Sequence, residues 1–259
     1  MLYDAIIDSY REGERKMALR HLKRLSEFDD MENIILWDRG YVSEDLIAQC
    51  CEQGHYFVMR IRDDWHKKLA DDTRSGEWGT IKKNGKAYPV RVIKLTLPNG
   101  NSETLFSNID FIETEEFGEL YALRWTVETK YDIIKNLIQI ENASGMSVIS
   151  ILQDFWACMT IANIMAFAKL EADAKINKNN EGKELKREYQ ANNAIILGML
   201  RRYFVRMIVA DDDKTRDFYA AKFFNSIERF SDVVQEHRSY QRINKSQRRK
   251  FPPRKKSVL

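Results

Sequence analysis

Cysteine and histidine are scarce in this chain, and neither is spaced for the chemistry it usually supports. Of 259 residues, three are cysteines and four are histidines. Cys50 and Cys51 are adjacent and Cys158 is far away, which excludes a disulfide framework and a zinc-ligand spacing. They read as buried thiols of a cytosolic protein. His21, His55, His66 and His237 show no metal-binding spacing and read as structural or surface residues. The opening segment MLYDAIIDSY lacks the pattern of a secretory signal. The longest apolar stretch, Phe155 to Leu170, is interrupted by Asn163 and Lys169 and preceded by Asp154. It is too short to span a bilayer and reads as a core helix, so no membrane contact is expected. The charge is not spread evenly. From His237 to Leu259 there are nine lysines or arginines and no aspartate or glutamate. Because the whole chain stands at +3, residues 1–236 carry −6. Such a tail is either a sequence-independent phosphate binder or a solubilising extension.

What is present suffices for a substantial core, since 44% of the chain is hydrophobic. Residues 1–62 read as a strand, an amphipathic helix (Glu14 to Ser26) and a βαβ unit. In that unit the apolar run of NIILWDRGY is a buried strand. Ser43 caps a helix from Glu44 to Gln53, Gly54 ends it, and YFVMRI (Tyr56 to Ile61) is a second, parallel strand. Residues 63–112 alternate in polarity and are punctuated by Asn84-Gly85 and Asn99-Gly100, which are hairpin signals. Residues 113–142 predict a long helix with Thr114 as its cap, and residues 148–170 a second, apolar one. Asp173 to Gln190 reads as a charged loop. Helices are predicted at Asn193 to Val209 and Thr215 to Glu236, and no internal repeat is apparent.

Two places carry chemistry. Within YALRWTVETKYDIIKNL, the residues Tyr121, Arg124, Glu128 and Lys135 form the pattern Y-x2-R-x3-E-x6-K. At about 100° per helical residue, with Tyr121 at zero, the others fall at about −60°, about −20° and about −40°. The four would share one narrow stripe, with Leu120, Leu123, Val127, Ile134, Leu137 and Ile138 behind it. A carboxylate suits a divalent metal, and flanking cations suit phosphate. An ordinary solvated face with an i,i+4 ion pair is the alternative. The second place is Asp38, at the C-terminal edge of the first βαβ strand, where α/β sheets put functional groups. A turn aspartate before Gly40 is its alternative.

Together these segments resemble bacterial insertion-sequence transposases of the DDE class, in particular the IS-four type with its Tyr-Arg-Glu-Lys signature. ILWDRGY is similar to that group's second-aspartate motif, and YALRWTVETKYDIIKNLIQIENASG to its glutamate motif with all four signature residues in register. YFVMRIR and LYDAIIDSYREGERKMALRHL are also family-like. The resemblance covers most of residues 1–170. It implies an α/β fold of the RNase H-like, retroviral-integrase type that acts on double-stranded DNA with Mg²⁺, or Mn²⁺ in its place, as a dimer on the transposon ends and target. By resemblance, Asp38 and Glu128 are metal-binding catalytic carboxylates, and Tyr121, Arg124 and Lys135 hold the DNA backbone. The implied setting is the bacterial cytoplasm, at the nucleoid.

The family carries its first metal-binding aspartate upstream of the LYD-like strand, where this chain begins. Asp4 and Asp8 are the only early candidates. The resemblance therefore implies an N-terminally truncated core over 1–62 that lacks the first acid and is inactive alone, or a non-catalytic DNA-binding remnant. It further implies a β-rich insertion over 63–112, the signature and core helices over 113–172, a helical region over 173–236 and the basic tail over 237–259. Trp65 or Trp78 in the insertion could stack on an unpaired base. A hairpin-core role is the other reading for both.

Overall fold

The computed structural model describes residues 1–9, 11–28, 32–97 and 100–234, so the basic tail lies outside the described residues. The chain divides into two compact units, one of residues 4–129 and one of residues 1–3 with 130–259.

The first unit is built on a five-stranded sheet. Its elements are α1 (Glu14–Phe28), β1 (Ile34–Trp37), α2 (Glu44–Glu52), β2 (Tyr56–Arg60), α3 (Lys67–Asp72), β3 (Trp78–Lys83), β4 (Lys86–Thr96), β5 (Ser102–Ser107) and α4 (Phe117–Ala122). The βαβ expectation is met. β1 runs parallel to β2 in the register Ile34↔Tyr56 to Trp37↔Met59. Ser43 caps α2, its hydroxyl accepting from the Asp45 amide at 3.2 Å, and Gly54 beyond the helix sits at φ +74°.

The rest of the sheet is antiparallel, in the order β1-β2-β5-β4-β3. Asn84 and Gly85 both have positive φ, the backbone that a two-residue hairpin with the right strand twist requires. The β-rich stretch therefore belongs to the same sheet as β1 and β2. β5 pairs directly with β2, Met59 opposite Phe106.

Helices cover both faces of the sheet. Ala18 and Leu22 of α1 and Leu46 and Ile47 of α2 bury Phe57, Met59 and Phe106 on one side. Val58, Ile93 and Leu105 pack against Phe117 and Tyr121 of α4 on the other. Alternation along β2 sends Phe57 and Met59 to one layer and Val58 to the other. Burying each such side chain contributes roughly 1.5–3 kcal/mol.

No strand forms over residues 1–9, against expectation. Asp4 is instead drawn to α1, to His21 at 2.7 Å and Arg24 at 3.1 Å, and Asp8 pairs with Arg20 of the same helix.

The second unit is helical. α6 (Val148–Asn180), α7 (Asn193–Ile208) and α8 (Asp213–Arg229) accompany a two-stranded ribbon of β6 (Tyr189–Ala191) and β7 (Ser231–Val233). Ser147, Asn192 and Asp212 cap the three helices with side-chain oxygens. Leu2 is fastened to α6 at both backbone polar atoms by Asn163, at 2.7 and 3.0 Å.

α6 is 33 residues long and takes in the first part of the expected Asp173–Gln190 loop, to Asn180. By length and composition it could cross a bilayer, contrary to the sequence expectation of a segment too short to do so. Asn163 and Lys169, which limit the apolar run in sequence, are absorbed into the helix by bonds to Leu2 and Asp173. Cys158, Met165, Ala172 and Ile176 form its buried stripe, whereas Trp156, Phe167 and Leu170 are exposed.

Candidate active site

Asp38 leaves β1 with extended backbone and caps the short 3-10 turn Arg39–Tyr41. Its carboxylate accepts the Arg39 amide at 2.8 Å, and its carbonyl accepts the Tyr41 amide at 2.9 Å. Asp38 is half-buried and follows directly on the C-terminal end of β1.

The segment that carries the signature is anchored to the sheet by Arg91 of β4. Its guanidinium donates to the carbonyls of Gly76 (3.1 Å) and Ile112 (2.6 Å) and to the Thr114 hydroxyl (2.9 Å), and it lies 5.5 Å over the Phe117 ring. Thr114 is therefore not the predicted cap. Glu113 and Glu116 cap each other's backbone amides instead.

The signature is also not one straight helix. α4 ends at Ala122, and α5 (Trp125–Asp132) starts after i→i+3 bonds from Leu123 to Leu120 and from Arg124 to Tyr121. A wide turn with the i→i+5 bond Ile138 to Ile133 follows. The tightened turn rotates the faces, so Leu123 and Val127, expected in the core, are exposed. Tyr121, expected on the front, is only 5% exposed.

That burial gives the phenol a specific partner. The Tyr121 hydroxyl donates to the Trp37 carbonyl at 3.3 Å, one residue before Asp38. Burial pushes the phenol up to about 12; Arg124 and Arg60 pull it back, while Asp38 and Glu103 add to the rise. Asp38 and the signature helix thus meet at Tyr121.

Arg124 has a side chain only 11% exposed and sits 3.5 Å from the Glu128 carboxylate. It also lies 5.7 Å over the Tyr121 ring and 5.0 Å over the Trp125 ring. At 3.5 Å the pair is long for a charge-assisted bond, and the buried Nε has no hydrogen-bond partner among the described residues. Lys135 falls in the second unit, exposed, 2.9 Å from Glu141.

Sequence reasoning missed Arg60 and Glu103, which pair at 2.8 Å. The clue was register. One step beyond Trp37↔Met59, Arg60 stands abreast of Asp38, a charged residue closing an apolar run as Asp38 does. Trp65 packs against the core beside Phe106, but from the connection between β2 and α3 and not from a hairpin, whereas Trp78 is exposed on β3.

A family model described as "Transposase DDE domain" matches residues 1–164. The chain belongs to the DDE transposase family. A comparison with curated proteins gives no match. The matched span includes Asp38, the signature residues and the first half of α6. Members of this family have an RNase H-like α/β fold, and the mixed, helix-covered sheet is in keeping with it. The family works with divalent metal, and a two-metal centre needs several carboxylate oxygens converging on one point. Among the described residues no three His, Cys, Asp or Glu side chains gather in that way. Asp38 and Glu128 are two potential donors, and Asp4 and Asp8 are engaged by α1. Among the described residues the donor set does not fit a complete two-metal site.

Proposed function

We propose that this chain acts on DNA in transposition of an insertion sequence of the IS-four type. In this reading it grips double-stranded DNA and contributes Asp38 and Glu128 to metal-dependent strand cleavage and transfer, with only little of that activity by itself. The tie from Tyr121 to Trp37 carries the reading, because it couples the signature helix to the strand end that presents Asp38. A buried phenol bonded to a backbone carbonyl is a strut. Tyr121 accordingly supports Asp38, and phosphate contact falls to Arg124 and Lys135. Arg124 reaches Glu128 only at 3.5 Å, and a guanidinium fork suits phosphate oxygens.

A DNA-binding protein without catalysis is the second reading, favoured by the engagement of Asp4 and Asp8 with His21, Arg24 and Arg20. One experiment separates the two. The full chain is incubated with supercoiled plasmid and Mn²⁺, and nicking is followed beside duplex binding. Nicking abolished by Asp38→Asn and by Glu128→Gln supports participation in cleavage. Duplex binding that survives both substitutions, with no nicking by the parent, supports the binding-only reading. Failure to bind duplex DNA at all removes both.

A further inference from the structure

Beyond the C-terminal ends of β1 and β2 lies a cleft of about 750 Å³. Four arginines line it: Arg15 of α1, Arg39 after Asp38, Arg60 at the end of β2, and Arg62 just beyond. Asp63, Asp64 and Glu103 share the lining, so the cleft is not simply basic. Its charges fall into two groups. Glu103 holds Arg60 at 2.8 Å with both side chains largely buried, a fixed structural pair. Asp64 meets Arg62 at 3.2 Å with both exposed. Such a pair is worth little in water and exchanges readily for a better anion.

Arg15 and Arg39 make no ion pair among the described residues. Arg15 donates its Nε–H to the Gly40 carbonyl at 3.3 Å, which fixes its guanidinium against the turn that carries Arg39. Two exposed arginines therefore line the cleft together, Arg39 next in the chain to Asp38 and Arg15 bonded to the same turn.

We propose that this cleft is a binding site for the phosphodiester backbone of DNA, with Arg15 and Arg39 as its principal phosphate contacts and Arg62 as a third. The proposal rests on the reading that the chain acts on DNA. Guanidinium forks match phosphate oxygens two at a time. A concave site with cations in its lining concentrates positive potential, and the position at the carboxyl ends of parallel strands is where open α/β sheets take ligands. Asp63 repels a phosphate on its own side, so the backbone enters along the Arg15–Arg39 side. A strand bound there would run past Asp38.

The test uses the full chain and a labelled duplex of mixed sequence, with affinity read by fluorescence anisotropy across a salt series. The double variant Arg15→Ala/Arg39→Ala is compared with Lys67→Ala/Lys68→Ala, which removes the same charge from exposed residues of α3 outside the cleft. Each phosphate contact removed lowers the slope of log K against log salt by about 0.9. The arginine pair is expected to lower it by about 1.8 and to weaken binding roughly ten-fold at moderate salt. The lysine pair is expected to leave the slope near that of the parent. Arg62→Ala alone is expected to lower it by about 0.9. Far-ultraviolet circular dichroism checks that each variant is folded. Equal effects of the arginine and lysine pairs would overturn the cleft while leaving DNA binding intact. No duplex binding by the parent would overturn the cleft and the reading beneath it together.

Discussion

The Tyr121 hydroxyl donates to the carbonyl of Trp37 at 3.3 Å, although the two residues lie 84 positions apart. That bond joins α4, where the Tyr-Arg-Glu-Lys signature begins, to the end of β1 next to Asp38. Tyr121→Phe keeps the ring in the layer of Val58, Leu105 and Phe117 and deletes only the bond. A stability loss of about 1–2 kcal/mol is expected, since a buried carbonyl loses its donor. Urea denaturation measures it. A variant as stable as the parent would mean that the bond is not maintained in solution.

The same phenol should mark the alkaline limb of the stability curve. Burial raises Tyr121 to about 12, from an ordinary value near 10. Between those values the unfolded chain has released the proton and the folded chain retains it, so stability falls as pH rises. The contribution is intact below about pH 10 and lost by about pH 12, with a size of roughly 2–3 kcal/mol. Other groups titrate in that window, Cys50 among them, but they are common to parent and Tyr121→Phe. The parent's advantage over the variant should therefore shrink across that interval and invert near its upper end. Ultraviolet titration of the parent minus the variant should show one tyrosine ionising near the upper end.

The parallel βαβ unit around Asp38 was legible because each of its signals is local: a short apolar run, a serine cap, a glycine stop. The Asn84-Gly85 hairpin was legible for the same reason. What escaped depends on partners distant in sequence. Helical spacing placed Tyr121 beside Arg124 on a solvent stripe, but the tightening at Leu123–Arg124 turned the phenol inward and Leu123 and Val127 outward. Thr114 has the chemistry of a cap, yet its hydroxyl is taken by Arg91 from 23 residues away. The β-rich stretch could be read as strands, but not as a continuation of the β1–β2 sheet, because the pairing of β5 with β2 leaves no local trace.

Arg91 is expected to be among the more sensitive residues outside the site. Its guanidinium satisfies two carbonyls and a hydroxyl that bracket the entry to α4. Arg91→Ala leaves those acceptors without donors, and a loss of about 3 kcal/mol is expected. Arg91→Lys, which can meet one of the three, should recover only part of it. Hydrogen exchange provides the sharper check, because the amides of Phe117 to Ala122 should lose protection ahead of those in β1 and β2.

Asp4 and Asp8 face a direct test as metal ligands. Both are engaged with α1, Asp4 by His21 and Arg24 and Asp8 by Arg20. Electron paramagnetic resonance of added Mn²⁺ should register weak binding, as expected of a site with few carboxylate ligands. Asp38→Asn should reduce it, and Asp4→Asn and Asp8→Asn should leave it unchanged. Binding that disappears with Asp4→Asn would make Asp4 a metal ligand and show that its pairing with α1 yields to the metal.

Arg124 offers the clearest separation of charge from shape. Its guanidinium is stacked over Tyr121 and Trp125, reaches Glu128 at 3.5 Å, and keeps a buried Nε donor without a partner among the described residues. Lysine preserves the charge but has neither the planar fork nor the stacking face. If Arg124 meets a DNA phosphate through its fork, Arg124→Lys should weaken duplex binding roughly five- to ten-fold, or about 1–1.4 kcal/mol. Folding stability should change by no more than about 1 kcal/mol, the size of a cation–π interaction near the surface. Trp125 emission should shift in the same variant, because the cation over its ring has moved. Unchanged affinity with shifted emission would confine Arg124 to holding Glu128 and Trp125 in place. Anisotropy and fluorescence on one preparation distinguish the two outcomes.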